Sequence, residues 1–150
     1  MSIVNKLPQR TKTVSMIVPA VIDGTKTNSV VIDRAGFQSC QINLNYSACV
    51  GGGAPSGAAL SFKVYSNSAS STSSPAPVLL ATFETTLNIL LAGFQTYSLD
   101  LSNAKRYIFV EYDSDLTGGT TPSNIVSCDC VLGDAMVQPA AGSAVTVYGR

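Results

Sequence analysis

Alternation decides what this chain can fold into. From Phe37 to Tyr46 the apolar residues Cys40, Ile42, Leu44 and Tyr46 fall on one phase, and Ser39, Gln41, Asn43 and Asn45 on the other. A period of two is that of a β-strand, whose side chains point alternately to opposite faces. One apolar and one polar face mark a half-buried antiparallel strand. The pattern recurs. Leu60, Phe62 and Val64 alternate with Ser61, Lys63 and Tyr65, and Tyr97, Leu99 and Leu101 with Thr96, Ser98 and Asp100. Ile108, Val110 and Tyr112 oppose Tyr107, Phe109, Glu111 and Asp113. Val126, Cys128, Cys130 and Leu132 oppose Ser127, Asp129 and Val131. Shorter apolar stretches at Val14–Val18, Ser29–Ile32, Val78–Phe83 and Val145–Tyr148 bring the expected strands to eight or nine. Turn chemistry at Asp23-Gly24, Gly51-Gly52-Gly53, Gly118-Gly119 and Gly133-Asp134 separates them. Only Thr86–Ala92 offers room for a helical turn. Many short strands joined by polar turns predict an all-β fold, an antiparallel, jelly-roll-like β-sandwich.

At 150 residues the chain has the length of one domain. Three segments stand outside the alternation. Residues 1–22 hold Lys6, Arg10 and Lys12 without an acid, and Pro8 and Pro19 oppose regular structure there. This stretch is expected to be an extended N-terminal arm, able to span at most roughly 73–79 Å if drawn straight. The sandwich is expected over residues 23–150. Within it Ser66–Pro77 is low in complexity and reads as a flexible surface loop, and Thr117–Asn124, with Pro122, as a second polar loop.

Composition excludes several functions. There is no histidine, which removes a Ser–His–Asp triad, a Cys–His pair and imidazole metal ligands. Net charge is zero, so no global field draws nucleic acid. No apolar run approaches the roughly 20 residues that span a bilayer. Polar Asn5, Gln9, Arg10, Thr11 and Lys12 interrupt any signal-peptide core, so synthesis in the cytosol is expected. Charged residues make up only 12% of the chain, which points to a surface partly covered by something other than water. The charges are also divided. Residues 1–34 hold five basic and two acidic groups, and residues 100–149 six acidic and two basic ones. Either the basic arm meets the acidic face of a neighbour, or both are solvated surface.

Few residues could carry chemistry. Cys128 and Cys130 share one strand face, and Cys40 takes an inward position on another strand. With Cys49 they make four thiols, but their spacing lacks the close pairs that wrap zinc, and they read best as small buried hydrophobes. Asp113-x-Asp115-x-Thr117-Gly118 echoes the opening of a calcium loop, yet its twelfth position is Asn124 where a bidentate Glu is needed. Glu111 and Asp113 form no evident cleft for glycoside hydrolysis. Gly51–Gly57 lacks the Gly-Lys-Ser/Thr ending of a phosphate loop. No cofactor and no catalytic activity are expected. Tyr107 and Phe109 sit on the polar phase of their strand. They form an interface patch, or their strand is buried on both faces.

The order of motifs resembles a known family. Val31-Ile32-Asp33-Arg34-Ala35-Gly36-Phe37-Gln38-Ser39 leads into an alternating strand, and Lys105-Arg106-Tyr107-Ile108-Phe109-Val110 opens a later one. Over roughly residues 28–135 the chain is similar to the auxiliary head proteins of tailed bacteriophages, the cement or decoration proteins. The resemblance implies a jelly-roll-like sandwich made in the host cytoplasm and carried on the outside of an icosahedral head. It implies two partners: the phage major capsid protein and further copies of itself as dimers or trimers. No catalytic or ligand residue carries over. The candidate interface comprises Lys6, Arg10, Lys12, Tyr107, Phe109, Glu111 and Asp113. The alternative is a jelly-roll module recognising carbohydrate on a host surface, with Tyr65, Tyr107 or Tyr148 stacking on sugar and the 111–115 acids holding calcium.

Overall fold

The computed structural model describes residues 11–24, 26–52, 57–85 and 92–135. Ten antiparallel strands run through them: β1 (Lys12–Ile22), β2 (Thr27–Asn28), β3 (Ile32–Asp33), β4 (Phe37–Tyr46), β5 (Val50–Gly52), β6 (Gly57–Asn67), β7 (Val78–Thr85), β8 (Gly93–Asp100), β9 (Tyr107–Thr117) and β10 (Thr120–Ala135). They form two sheets. The first has the order β1-β10-β4-β8, with β5 also on β10. The second has the order β2-β9-β6-β7, with β3 also on β9. No helix long and apolar enough to cross a membrane occurs among the described residues.

The alternation maps onto the two inner faces. Cys40, Ile42 and Leu44 of β4 lie beside Leu132, Cys130 and Cys128 of β10. Leu60, Phe62 and Val64 of β6 face them from the second sheet with Ile108, Val110 and Tyr112 of β9, in one continuous core. Phe62 lies near Tyr97 and Tyr112, each at 6.4 Å between ring centres, and Phe83 stacks on Tyr97 at 4.0 Å across the open side of the sandwich. Burying such aliphatic and aromatic side chains is the main force holding the sheets together, at roughly 1.5–3 kcal/mol for each large one.

Several expectations change. Residues 12–22, expected in the arm, are strand β1, with Met16, Ile17 and Ile22 buried in the core. Pro19 is accommodated because β1 is an edge strand whose register with β10 shifts between Ile17 and Ala20. Residues 1–10, with Lys6 and Arg10, lie outside the described residues, as do the expected strand at Val145–Tyr148 and residues 86–91 of the expected helical turn. The stretch Ser29–Ile32 is no continuous strand. It links the two-residue bridges β2 and β3 to β9, and the Ser29 Oγ accepts from the Val110 N–H at 2.9 Å.

The serine-rich segment is wound on itself. Asn67, wholly buried at the end of β6, donates from its side-chain amide to the carbonyls of Ser71 (2.8 Å) and Pro75 (2.9 Å). Ser71 Oγ accepts from the backbone N–H of Ser73 and Ser74. One buried amide therefore gives this low-complexity segment a defined path. The polar loop expected at 117–124 shrinks to Gly118–Gly119, with φ of 78° and 74°, a conformation natural to glycine. The chain passes there from the second sheet into β10 of the first.

Candidate functional site

The two outer faces are the candidate surfaces, and they are built differently. On the second sheet, outward residues of β6 and β9 meet as cross-strand pairs: Ser61 with Asp113, Lys63 with Glu111, Tyr65 with Phe109, and Asn67 with Tyr107. The expected interface residues of β9 thus do share one face. Phe109, however, does not present surface in a single copy. It is 1% exposed, with the Tyr65 ring stacked on it at 5.4 Å and 14°. At Phe109 the strand is buried on both faces, under the Tyr65 ring, whereas Tyr107, Glu111 and Asp113 on the same phase are half-buried.

Two ion pairs lie on this sheet. Lys26 lies 2.8 Å from Glu111, whose carboxylate raises the lysine pKa through a hydrogen bond and charge. Arg106 lies 2.7 Å from Asp33 and 5.3 Å from the centre of the Tyr107 ring. Its hydrogen bond holds the Asp33 carboxyl below its usual pKa. Lys12 is half-buried on β1, opposite Leu132, and is not brought together with Glu111 or Asp113, which are paired along β9 with β6 and β2. Asp113 and Asp115 lie along an extended strand that turns at Gly118–Gly119 straight into β10, so the segment does not wrap into a calcium loop. Among the described residues no three His, Cys, Asp or Glu side chains are grouped to hold a metal.

The two motifs behind the phage resemblance meet in space. Arg34 donates to the carbonyls of Lys105 (2.9 Å), Ala104 and Phe37 (2.9 Å). Arg106 reaches Asp33 across 73 residues of chain. This corner ties the turn before β4 to the segment before β9, a structural task that needs a planar, multiply donating guanidinium.

The outer face of the first sheet is open. Its lower half is a polar ladder in which Asn43, opposite Asp129 of β10, accepts at Oδ1 from Gln41 Nε2 (2.9 Å) and Thr96 Oγ1 (3.3 Å). Below lies a cleft of about 540 Å³ lined by Gln38, Gln41, Ser98, Asp100 and Asp134, among others. Ser39 Oγ donates to Asp134 Oδ2 at 2.6 Å across a floor of bare backbone at Gly133, where a β-carbon would stand 2.9 Å from that hydroxyl. The N–H of Ser102 holds the Asp100 carboxyl below its usual pKa. The upper half of the face carries exposed apolar side chains. Val21 and Ile125 are directly opposed cross-strand partners, 69% and 49% exposed, with Val18 exposed on the same strand as Val21; Phe94, 58% exposed on β8, is separated from them by Asn45 and Ser127. A hollow of about 270 Å³ lined by Pro19, Asn45, Tyr46, Ser47, Ile125 and Ser127 lies in this region.

Sequence reasoning missed this patch. Val21 and Ile125 are adjacent only through the pairing of β1 with β10. Phe94 did carry a signal, since it falls on the even, polar phase of Thr96, Ser98 and Asp100.

Three of the four thiols belong to the interior. Cys40, Cys128 and Cys130 are buried members of the core, and Cys49 is half-exposed. Burial, with the nearby Asp129 charge, pushes the Cys128 thiol up to about 12. Cys130, hydrogen-bonded to Cys40 and shut away from water, is pushed up as well. Such thiols stay protonated and unreactive.

No family profile matches the chain, and no curated protein matches it. Its fold does match solved structures. A chain from the structure of infectious bursal disease virus, Gt strain, superposes with a TM-score of 0.51 at 12% identity, over 83% of this chain. This chain spans 32% of that one's length. The likeness is one of fold. A chain from Bacillus endospore appendages, described as a novel family of disulfide-linked pili, gives a TM-score of 0.43 at 10% identity, covering 85% of this chain and 90% of that one. A chain of desmodium yellow mottle tymovirus gives 0.35 at 8% identity, covering 92% and 87%.

Proposed function

We propose that this chain is a structural virion subunit, a cement or decoration protein that binds the outside of an icosahedral phage head and bridges neighbouring major capsid subunits. The observation that carries this reading is the exposed apolar cross-strand pair of Val21 and Ile125 on the first sheet, with exposed Val18 on the same strand as Val21. Clustered exposed apolar side chains mark a surface that a partner covers. The fold likeness to a virus protein and the motif resemblance support the virion setting. The role is one of binding, with no catalytic step and no cofactor. Repetition over a symmetric head lets a modest contact per subunit suffice. The test is attachment to purified heads that lack the protein. The native chain is expected to bind at a fixed ratio to capsid protein and to raise the heads' thermal stability. A Val21→Lys/Ile125→Lys variant is expected to fold and fail to bind. Undiminished binding by that variant overturns the patch as the attachment surface, and absence of binding by the native chain overturns the function.

A second reading rests on the polar cleft. Gln38, Gln41, Ser98, Asp100 and Asp134 offer the hydrogen-bonding side chains that a carbohydrate hydroxyl array requires. A glycan array with and without calcium tests it, and uniform silence removes it.

A further inference from the structure

The four lateral margins of the sandwich are not equally guarded. Unpaired strand edges invite other strands, and natural edges are blunted by bulges, prolines, lysines or short length. On one side the margins are blunted and joined. β2 and β3 are two residues long, β1 carries Pro19 and two register shifts, and the Val30 N–H donates to the Met16 carbonyl at 3.1 Å between them. On the opposite side β7 carries a register shift where β6 passes from Val64 to Tyr65. β8 has none of these devices. It pairs with β4 over all of Gly93–Asp100 without a shift, and it contains no proline, lysine or arginine. It ends the first sheet, and among the described residues no strand lies on its other edge.

We propose that β8 is an assembly edge, pairing antiparallel with β8 of a second copy about a two-fold axis, so that the first sheet continues through both copies. The strand's own chemistry favours a second copy as the occupant. Its one charge, Asp100, stands at the end. Antiparallel pairing sends the two Asp100 carboxylates to opposite ends of a ladder roughly 24–27 Å long, away from each other. The other outward side chains, Phe94, Thr96 and Ser98, are uncharged, and their direct partners on β4, Asn45, Asn43 and Gln41, are uncharged as well. Every second residue of β8 turns its backbone N–H and C=O away from β4, and an antiparallel copy supplies the matching acceptors and donors. Phe94 has only Asn45 as its direct cross-strand partner, and it gains cover on its open side. One patch used twice about a two-fold closes the assembly at a dimer and leaves no free β8 edge.

This inference rests on the assembly reading above, naming the contact between copies, and its test is independent of heads. The isolated protein is weighed by light scattering over a concentration series, and hydrogen exchange is followed along β8. The expected result is a dimer in which alternate amides of 93–100 gain protection as concentration rises. A Thr96→Lys/Ser98→Lys variant places like charges across the axis on exposed positions. It is expected to keep the unfolding midpoint of the separate chain and to associate at least about tenfold more weakly. A native monomer at the highest soluble concentration overturns the pairing. So does a dimer whose β8 amides exchange as in the monomer, or a monomer already protected there by its own chain. A monomer that still decorates heads overturns this inference alone, and a dimer that ignores heads overturns the function alone.

Discussion

Phe94 and Phe109 occupy the same outward phase of their strands, yet one is 58% exposed and the other 1%. Phe109 is on β9, between β6 on one side and β2 and β3 on the other, with the Tyr65 ring stacked on it. Phe94 is on β8, which ends its sheet, and its direct partner is the short polar Asn45. The second sheet thus covers its own outward aromatic and forms two ion pairs of its own, Lys26 with Glu111 and Asp33 with Arg106. The first sheet leaves an apolar patch and an unguarded edge. An outward aromatic reports a partner only where its own sheet has not already covered it.

The largest effect that tests this contrast is truncation of the two rings. Phe109→Ala should destabilise the fold by about 3–5 kcal/mol, as a fully buried phenylalanine does. Phe94→Ala should stay within about 0.5 kcal/mol in the separate chain. Urea unfolding measures both, and equal costs would break the comparison.

The interior shared by both faces should respond to alkali. Because the folded Cys128 pKa is raised to about 12, the unfolded chain releases this proton first as pH rises. Stability is fully present below the ordinary thiol range near 9.0 and is lost as pH climbs toward 12, at up to about 1.4 kcal/mol per pH unit. Cys128→Ala should flatten that decline in a pH series of unfolding midpoints. In native protein a thiol reagent should label Cys49 well ahead of Cys40, Cys128 and Cys130.

A smaller effect on stability separates folding from binding on the first sheet. Val21→Lys/Ile125→Lys should change the unfolding free energy by no more than about 1 kcal/mol for the two exposed sites together, while abolishing attachment to heads. The smallest effect lies on the second sheet's surface. Glu111→Gln removes the negative charge facing Lys26 while keeping an oxygen acceptor, and with the lysine 60% exposed it should move the midpoint barely and mainly at low ionic strength. A large shift there would mean that the second face depends on its charges more than on its aromatic stack.

Much of this was legible in the residues. The period of two placed β4 at Phe37–Tyr46, assigned Cys40, Cys128 and Cys130 to the core and marked the inward sides of β6, β8, β9 and β10, because alternation is a property of the extended backbone itself. Pro19 misled at the arm, since a proline that breaks a central strand is tolerated at the irregular edge of one. The Ser-rich stretch lies on the surface as its composition implies, though its first two residues end β6 and the buried Asn67 amide holds the carbonyls of Ser71 and Pro75.

Fold class and inward phase were thus decided by the sequence alone. Which outward residues remain outward was decided only by the tertiary structure. Alternation says which way a side chain points, whereas its exposure depends on which side chains from neighbouring strands close over it. That neighbourhood comes from pairings between distant residues, such as Val21 with Ile125 or Tyr65 with Phe109, that no local pattern encodes.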